Sequence, residues 1–479
     1  MTTTTSTPSD SPRLSVGEKI GYGLGDTASN LYFQFFNLFL FYYYTDVFGL
    51  NPAAIGTMYL IANFWDAVND PMMGAIADRM QTRKGKYRPF LLWCAIPYGL
   101  LGYAIFANPD LGEAGKLAYA YVTFIAFKMI YTAINVPYSA MMGVISPNEN
   151  DRMALSTYRF IGAFGGGFIV SLLVRPLVKL FGGDDEVLGF QLTMALFGVA
   201  SVIMFFLTYA TTRERVEPQR DQGVSVMKDL SLLCRNLPWL IMIGAAVCTL
   251  ANVAVRGAVT VHYFKYYVGN SDEPVFSIGR EGTPFFLDFD KTTIFMSSGM
   301  IAFIIGVVFT GLVGRAFGKR NALAGLTLLN AVAIIAFFFI PPTATATMFT
   351  VNIIANILAG PTPALVWALY TDVADYGEWK YGRRATGLVF SAAMFAQKMG
   401  LTIGGAAAGW MLAAFGFVAN TTQSPEALMG IRIMFCIIPG ALAIANGIIL
   451  LFYPLSTRKT AQMHRELKAL REAESGGPG

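Results

Sequence analysis

The sequence predicts an all-α membrane protein of about twelve transmembrane helices. Three observations predict it. Only 14% of residues are charged while 54% are hydrophobic, against about 25% charge in soluble proteins. Mean hydropathy is +0.51. Apolar runs of about 20 residues, enough to cross a bilayer, recur from end to end. Examples lie within 89–107, 160–180, 187–210, 240–261, 322–340 and 428–453. Helices are expected near 19–45, 53–77, 88–108, 116–145, 154–180, 188–212, 238–267, 291–316, 321–341, 346–374, 386–416 and 428–454.

Charge orients these spans. Basic loops at 79–88, 213–235, 315–320 and 380–384 alternate with short or acidic ones at 46–52, 109–116, 182–186, 269–290, 341–347 and 420–426. Because Lys and Arg are retained on the inner side, both termini are expected in the cytoplasm of a bacterial inner-membrane protein. Residues 1–18 form a Thr/Ser/Pro-rich cytoplasmic tail without the apolar core of a signal peptide. Residues 19–212 form the first six-helix bundle, 213–237 a polar linker, 238–454 the second bundle and 455–479 a solvated cytoplasmic tail. The halves echo one another: GRAFGKR after the eighth span mirrors the basic loop after the second, and Pro363 precedes Asp372 as Pro137 precedes Asp151. Two parallel six-helix repeats fit the major facilitator fold, in which solute binds between the bundles near mid-membrane.

Composition also excludes classes of function. Three of the four cysteines lie in apolar runs and none has metal-ligand spacing, which reads as packing. With two histidines, no nucleophile–base set and no cofactor motif, neither an enzyme nor a resident metal or cofactor is expected. The glycines of GYGLG at 21–25 open a membrane helix without a preceding strand, so they are not a nucleotide loop.

What remains is the polar chemistry inside the spans, where an ion costs roughly 2.5–3.5 kcal/mol at mid-bilayer and so needs a reason. Asp66 and Asp70 lie four apart on one helix face beside Asn69. Their repulsion must be relieved by a cation, a proton or a base. Lys128 lies deep in the fourth span and in register with Tyr131, Thr132 and Asn135. It is the natural partner of the two aspartates, as a static helix-packing bridge or as a switchable ion pair. The first span carries Asp26, Asn30, Gln34 and Asn37 at spacings of four, four and three. Such a stripe suits a ligand rich in hydroxyls or bonds helix to helix. Arg159, Arg256 and Lys398 are further intramembrane bases, and Trp367 and Tyr370 offer faces on which a sugar ring could stack.

Six segments carry a resemblance: KIGYGLGD (19–26), FYYYTDVFGL (41–50), WDAVNDPMMG (65–74), RKGKYRP (83–89), YTAINVPYSA (131–140) and DVADYGEWKYGRRATG (372–387). Through them the chain resembles the glycoside–pentoside–hexuronide:cation symporters of the major facilitator superfamily, over nearly its whole length. The resemblance implies a cation site at Asp66, Asn69, Asp70 and Thr132, a base beside the sugar at Arg159, sugar contact at Tyr131, and the eleventh-helix lysine at Lys398. Three positions depart from it. Asn30 and Asn135 stand where melibiose-transporting members have sugar-binding aspartates. Lys128 places an ammonium where it can take the electrostatic role of sodium.

The reading is a sugar symporter working by alternating access. Asn30, Gln34, Asn37, Tyr131, Asn135, Arg159, Arg256, Trp367 and Lys398 are the candidate substrate residues. Asp66, Asn69, Asp70, Lys128 and Thr132 are the candidate coupling residues, with a proton favoured over Na⁺ at Asp66 and Asp70. The alternatives are a Na⁺-coupled sugar symporter or a lysolipid carrier of the same fold, against which the carboxamide stripe argues; a non-transporting sensor would tolerate loss of the paired aspartates' charge. The expected partners are a small-molecule sugar, H⁺ or Na⁺ and the bilayer, with no nucleic acid, and the chain is read as a monomer.

Overall fold

A computed structural model describes residues 14–216, 233–269, 273–279, 286–382 and 386–475. Its helical segments fall where the twelve spans are expected, and eight of them are long and apolar enough to cross a membrane by composition alone. The first six are α1 (Val16–Phe35), continued by π-helical turns to Val47, then α2 (Pro52–Arg79), α3 (Arg88–Ala104), α4 (Glu113–Ile145), α5 (Glu149–Gly182) and α6 (Glu186–Thr211). Next come α7 (Leu237–His262), running on as π-helix to Val268, then α8 (Lys291–Val308), α9 (Thr310–Phe317) and α10 (Lys319–Ala336). The chain ends with α11 (Thr345–Ala359), α12 (Thr362–Tyr381), α13 (Thr386–Ala414), α14 (Pro425–Arg432), α15 (Ile438–Leu451) and α16 (Thr457–Ser475). The eighth and tenth expected spans are thus each broken in two, at Phe309 and at Gly360–Pro361. At the second break a Cβ on Gly360 would lie 2.6 Å from the Gly306 Cα, so the two interrupted spans meet at glycines.

The described residues divide into two compact units. One lies within Met1–Arg220 and Ser271–Ser297, the other within Asp221–Asn270 and Ser298–Gly479. In the first, α1 and α5 pack most closely. A Cβ on Gly23 would lie 2.7 Å from the Tyr158 carbonyl oxygen and one on Gly166 would lie 3.0 Å from that of Thr27, while one on Gly162 would fall onto the Gly23 carbonyl. Lipid supplies no hydrophobic drive between helices, so close approach at small residues supplies the contact energy instead. The second unit repeats the device. On α13, Cβ atoms at Gly400 and Gly404 would lie 2.7 and 2.6 Å from the α7 carbonyl oxygens of Val247 and Ala251.

Two further regions differ from the sequence reading. The 269–290 connection contains a hairpin of β1 (Pro274–Ile278) and β2 (Leu287–Asp290), grouped with the first unit and packed on α5. Arg175 pairs there with Asp290, and Lys179 Nζ lies 2.7 Å from Asp288. The Asp288 carboxyl is held below the usual carboxylate range by its hydrogen bond to Lys179 and then by that from Ser277. The C-terminal tail, expected to be solvated, is instead helical over α16 and packs on α12. Met463 and Leu467, four apart on one face, are buried. The Trp379 indole nitrogen donates to Glu466 at 2.7 Å. A run of charged residues hid this narrow apolar stripe.

Candidate functional site

The first unit brings α1, α2, α4 and α5 together with two polar clusters. In the first cluster, Asp66 and Asp70 project from α2 just before Pro71, which lies inside the helix. Proline cannot donate to the carbonyl four residues back, so the backbone loosens beside the two carboxylates. Thr132 on α4 faces them. Its hydroxyl oxygen lies 2.9 Å from an Asp66 carboxylate oxygen and 3.0 Å from one of Asp70. The Lys128 ammonium, one turn earlier on α4, lies 3.7 Å from the other Asp66 oxygen. Asp66 and Thr132 are 4% and 1% exposed, so this is a buried arrangement. Asn69 lies on the same helix, half-buried, and makes no side-chain hydrogen bond among the described residues.

Three oxygens from Asp66, Asp70 and Thr132 form the kind of donor set a hard cation such as Na⁺ takes. The ammonium competes for the same charge. Two carboxylates and one lysine leave one negative charge in a medium where uncompensated charge is costly.

The second cluster lies along α1 and α5. Arg159 Nε donates to Asp26 at 3.0 Å, and its Nη2 reaches Ser139 Oγ at 3.4 Å. The guanidinium also lies 5.2 Å from the Tyr138 ring centroid. The glycine-lined α1–α5 contact sets this geometry by letting the two backbones touch one turn from the pair. Tyr22 and Tyr138 lock α1 to α4 behind it, each hydroxyl donating to the other's carbonyl, at 3.2 and 2.6 Å. Asn30 Nδ2 donates to the Asp26 carbonyl at 2.9 Å. Asn135 accepts from Ser29 at 2.7 Å and donates to the Tyr131 carbonyl at 3.0 Å. Tyr131 stacks on Tyr98 with centroids 6.3 Å apart. Asn30, Gln34, Asn37, Tyr131, Asn135 and Arg159 are all half-buried. They combine fixed orientation with accessible surface, as hydrogen-bonding of a ligand requires. Asn37 lies in the π-helical turn Phe36–Leu40 and meets Gln34 only at 3.5 Å, so the last step of the stripe departs from simple helical register.

The sequence reading placed Asp66, Asp70, Lys128 and Thr132 together, as the structure does. Arg159, expected beside the solute or paired with a carboxylate, is paired with Asp26. Ser29 and Ser139 were missed. A serine carries no period or charge to mark it, and only the helix contacts reveal the role.

In the second unit, Trp367 stacks on Phe390 with centroids 5.6 Å apart. It lines a cavity of about 350 Å³ together with Asn252, Asn330, Gln397 and Asn446. Lys398 follows Gln397 on α13 and its carbonyl accepts from Thr402 at 2.7 Å. Arg256 on α7 lies elsewhere in this unit, between the rings of Phe337 and Phe435 at 5.0 and 4.6 Å.

The chain matches the profile of a family described as MFS/sugar transport protein over residues 21–278 and 286–457. Relatives align over almost the full length. A putative glycoside/cation symporter, YagG, of Escherichia coli (strain K12) is 37% identical over 96% of this chain and 97% of its own. An isoprimeverose transporter of Lactiplantibacillus pentosus is 33% identical over 91% of this chain and 88% of its own. Among solved structures, the nucleoside transporter NupG has a TM-score of 0.59 at 12% identity, covering 92% of this chain and 100% of that one. That similarity shows the major facilitator fold.

Proposed function

The chain belongs to the MFS/sugar transport protein family, and from that premise we propose that this multi-pass membrane transporter couples a sugar to a proton. The sugar is held by the half-buried carboxamides Asn30, Gln34 and Asn135 with Arg159 of the first unit. The proton is held at Asp66 and Asp70. Relatives include an inner membrane symporter of Escherichia coli. With the basic loops, this supports a bacterial inner-membrane location with both termini cytoplasmic.

One observation carries the proton reading. The Thr132 hydroxyl has one hydrogen, yet its oxygen lies within 3.0 Å of both carboxylates. It donates to one. The second contact is a hydrogen bond only if the other carboxyl carries a proton and donates in return. Lys128 then balances the remaining charge. Asn135 and Thr132 sit three residues apart on α4, so filling the sugar site and loading the carboxylates bear on the same helix turn. That shared element is where a reciprocal coupling free energy arises. The oxygen donor set alone also suits Na⁺, and the 3.7 Å approach of Lys128 to Asp66 weighs against it.

Thr132→Val removes the bridging hydroxyl at nearly constant volume. Purified wild-type protein in weakly buffered detergent should take up protons when D-xylose or D-glucuronate is added, and the variant should not. Equal proton uptake by both would show that the bridge is not where the proton is held.

A further inference from the structure

The Asp26–Arg159 pair also bears on the charge that the proposed sugar site presents. Two intramembrane bases of the first unit, Lys128 and Arg159, each face a carboxylate, Lys128 that of Asp66 at 3.7 Å and Arg159 that of Asp26 at 3.0 Å. Asp26 and Arg159 together carry no net charge. Asp66, Asp70 and Lys128 together carry one negative charge, or none once a carboxylate holds a proton. Asn30, Gln34 and Asn135 add dipoles but no charge. Together these residues of α1, α2, α4 and α5 hold no cation in excess of their carboxylates.

What the pair offers instead is a donor beside an acceptor. Asp26, Ser139 and the Tyr22 hydroxyl engage three of the five guanidinium N–H donors, and the others remain for a ligand. The bond from Arg159 falls on one Asp26 carboxylate oxygen, and the other oxygen makes no hydrogen bond among the described residues. Both side chains keep part of their surface accessible. One turn along α1, the Asn30 amide is pinned to the Asp26 carbonyl at 2.9 Å, so a carboxamide stands beside the pair.

A sugar hydroxyl both donates and accepts. Two neighbouring hydroxyls can therefore donate to the second Asp26 oxygen and accept from Arg159 at once. An ionised carboxylate only accepts. Brought to the same guanidinium it would lie against the Asp26 carboxylate, and the two like charges repel strongly where water is scarce. Displacing Asp26 instead would leave that carboxylate in a partly buried place without its partner. We propose that Asp26 is a specificity-determining residue, which restricts the sugar site to neutral solutes and excludes hexuronates. Resting on the sugar reading above, this assignment narrows it: D-xylose, and not D-glucuronate, is the kind of solute the first unit takes.

The test is equilibrium binding to the full-length protein in neutral detergent, by calorimetry, with D-xylose, D-glucose, D-glucuronate and D-glucuronamide. The amide keeps the shape of the acid without its charge. A neutral sugar should bind the wild type at least about tenfold more tightly than D-glucuronate does, and D-glucuronamide should behave as the neutral sugars do. Asp26→Asn leaves the Arg159 charge without its counter-charge and should raise D-glucuronate affinity relative to neutral sugar by at least about tenfold. Adding Arg159→Gln should remove that gain. Wild-type protein that binds D-glucuronate as tightly as D-glucuronamide, or Asp26→Asn protein that keeps the wild-type preference, would overturn the assignment and leave the sugar reading standing. Wild-type protein that binds none of the four would overturn both. Because the wild-type comparison of acid with amide is itself decisive, an Asp26 variant that fails to fold leaves the test intact.

Discussion

The Asp26–Arg159 pair is the most consequential contact in the first unit, and breaking it has a calculable effect. The side chains are 14% and 27% exposed with nitrogen and oxygen 3.0 Å apart, so they are partly buried. Removing one partner of a fully buried pair costs about 3–5 kcal/mol, and an exposed pair is worth about 0–1 kcal/mol. Asp26→Asn or Arg159→Gln should therefore each cost roughly 1–3 kcal/mol of stability. The double variant should cost clearly less than the sum, because no charge is left unpaired. Equilibrium unfolding in mixed detergent–SDS micelles of the wild type, both singles and the double gives the coupling directly. Sugar binding by calorimetry should be lost in every variant lacking Arg159, including the double in which stability recovers. Additive effects of the two substitutions would refute the pairing as the organiser of the site. Unchanged sugar affinity without Arg159 would remove it from the ligand.

Two further outcomes follow from the packing. Gly162→Val places branched carbon on the Gly23 carbonyl at the tightest α1–α5 contact, and should abolish monodisperse protein on size-exclusion chromatography where Gly165→Val, whose Cβ meets nothing within 4 Å, does not. The Asp288 carboxyl is depressed by Lys179, so its contribution to hairpin docking is present above the ordinary value of 3.8 and is lost as pH falls through the lower folded value. Asp288→Asn should accordingly speed amide exchange over 274–278 at neutral pH, and exchange as slow as in the wild type would show that the pair does not hold the hairpin.

Much of this organisation can be read in the chain. Charge deficit and apolar runs placed the spans because lipid leaves the backbone few alternatives to helix. Asp66 and Asp70 called for a cation, a proton or a base because two buried like charges cannot stand alone, and Lys128, deep in the fourth span, was their natural partner. Other features depend on contacts that no local pattern encodes. Asp26 and Arg159 are 133 residues apart, and only the glycine approach of α1 to α5 joins them. Arg175 and Lys179 sit at the end of an apolar span, and only the fold brings the hairpin carboxylates against them. The break at Phe309 carries no Gly or Pro of its own, while that at Gly360–Pro361 does carry a breaker pair inside an apolar run long enough to be taken for one span. The π-helical turn at Asn37 likewise alters a register that spacing alone reads as uniform.

In the proposed cycle the Asp66–Asp70–Thr132–Lys128 cluster carries a proton in step with sugar. Uptake of labelled sugar into proteoliposomes, with sodium and pH gradients imposed separately, tests it most directly. Wild-type uptake should be driven by an inward proton gradient and indifferent to sodium, and a sodium response should appear when Lys128→Ala removes the competing ammonium. Strong sodium stimulation of the wild type, with no response to the proton gradient, would contradict it.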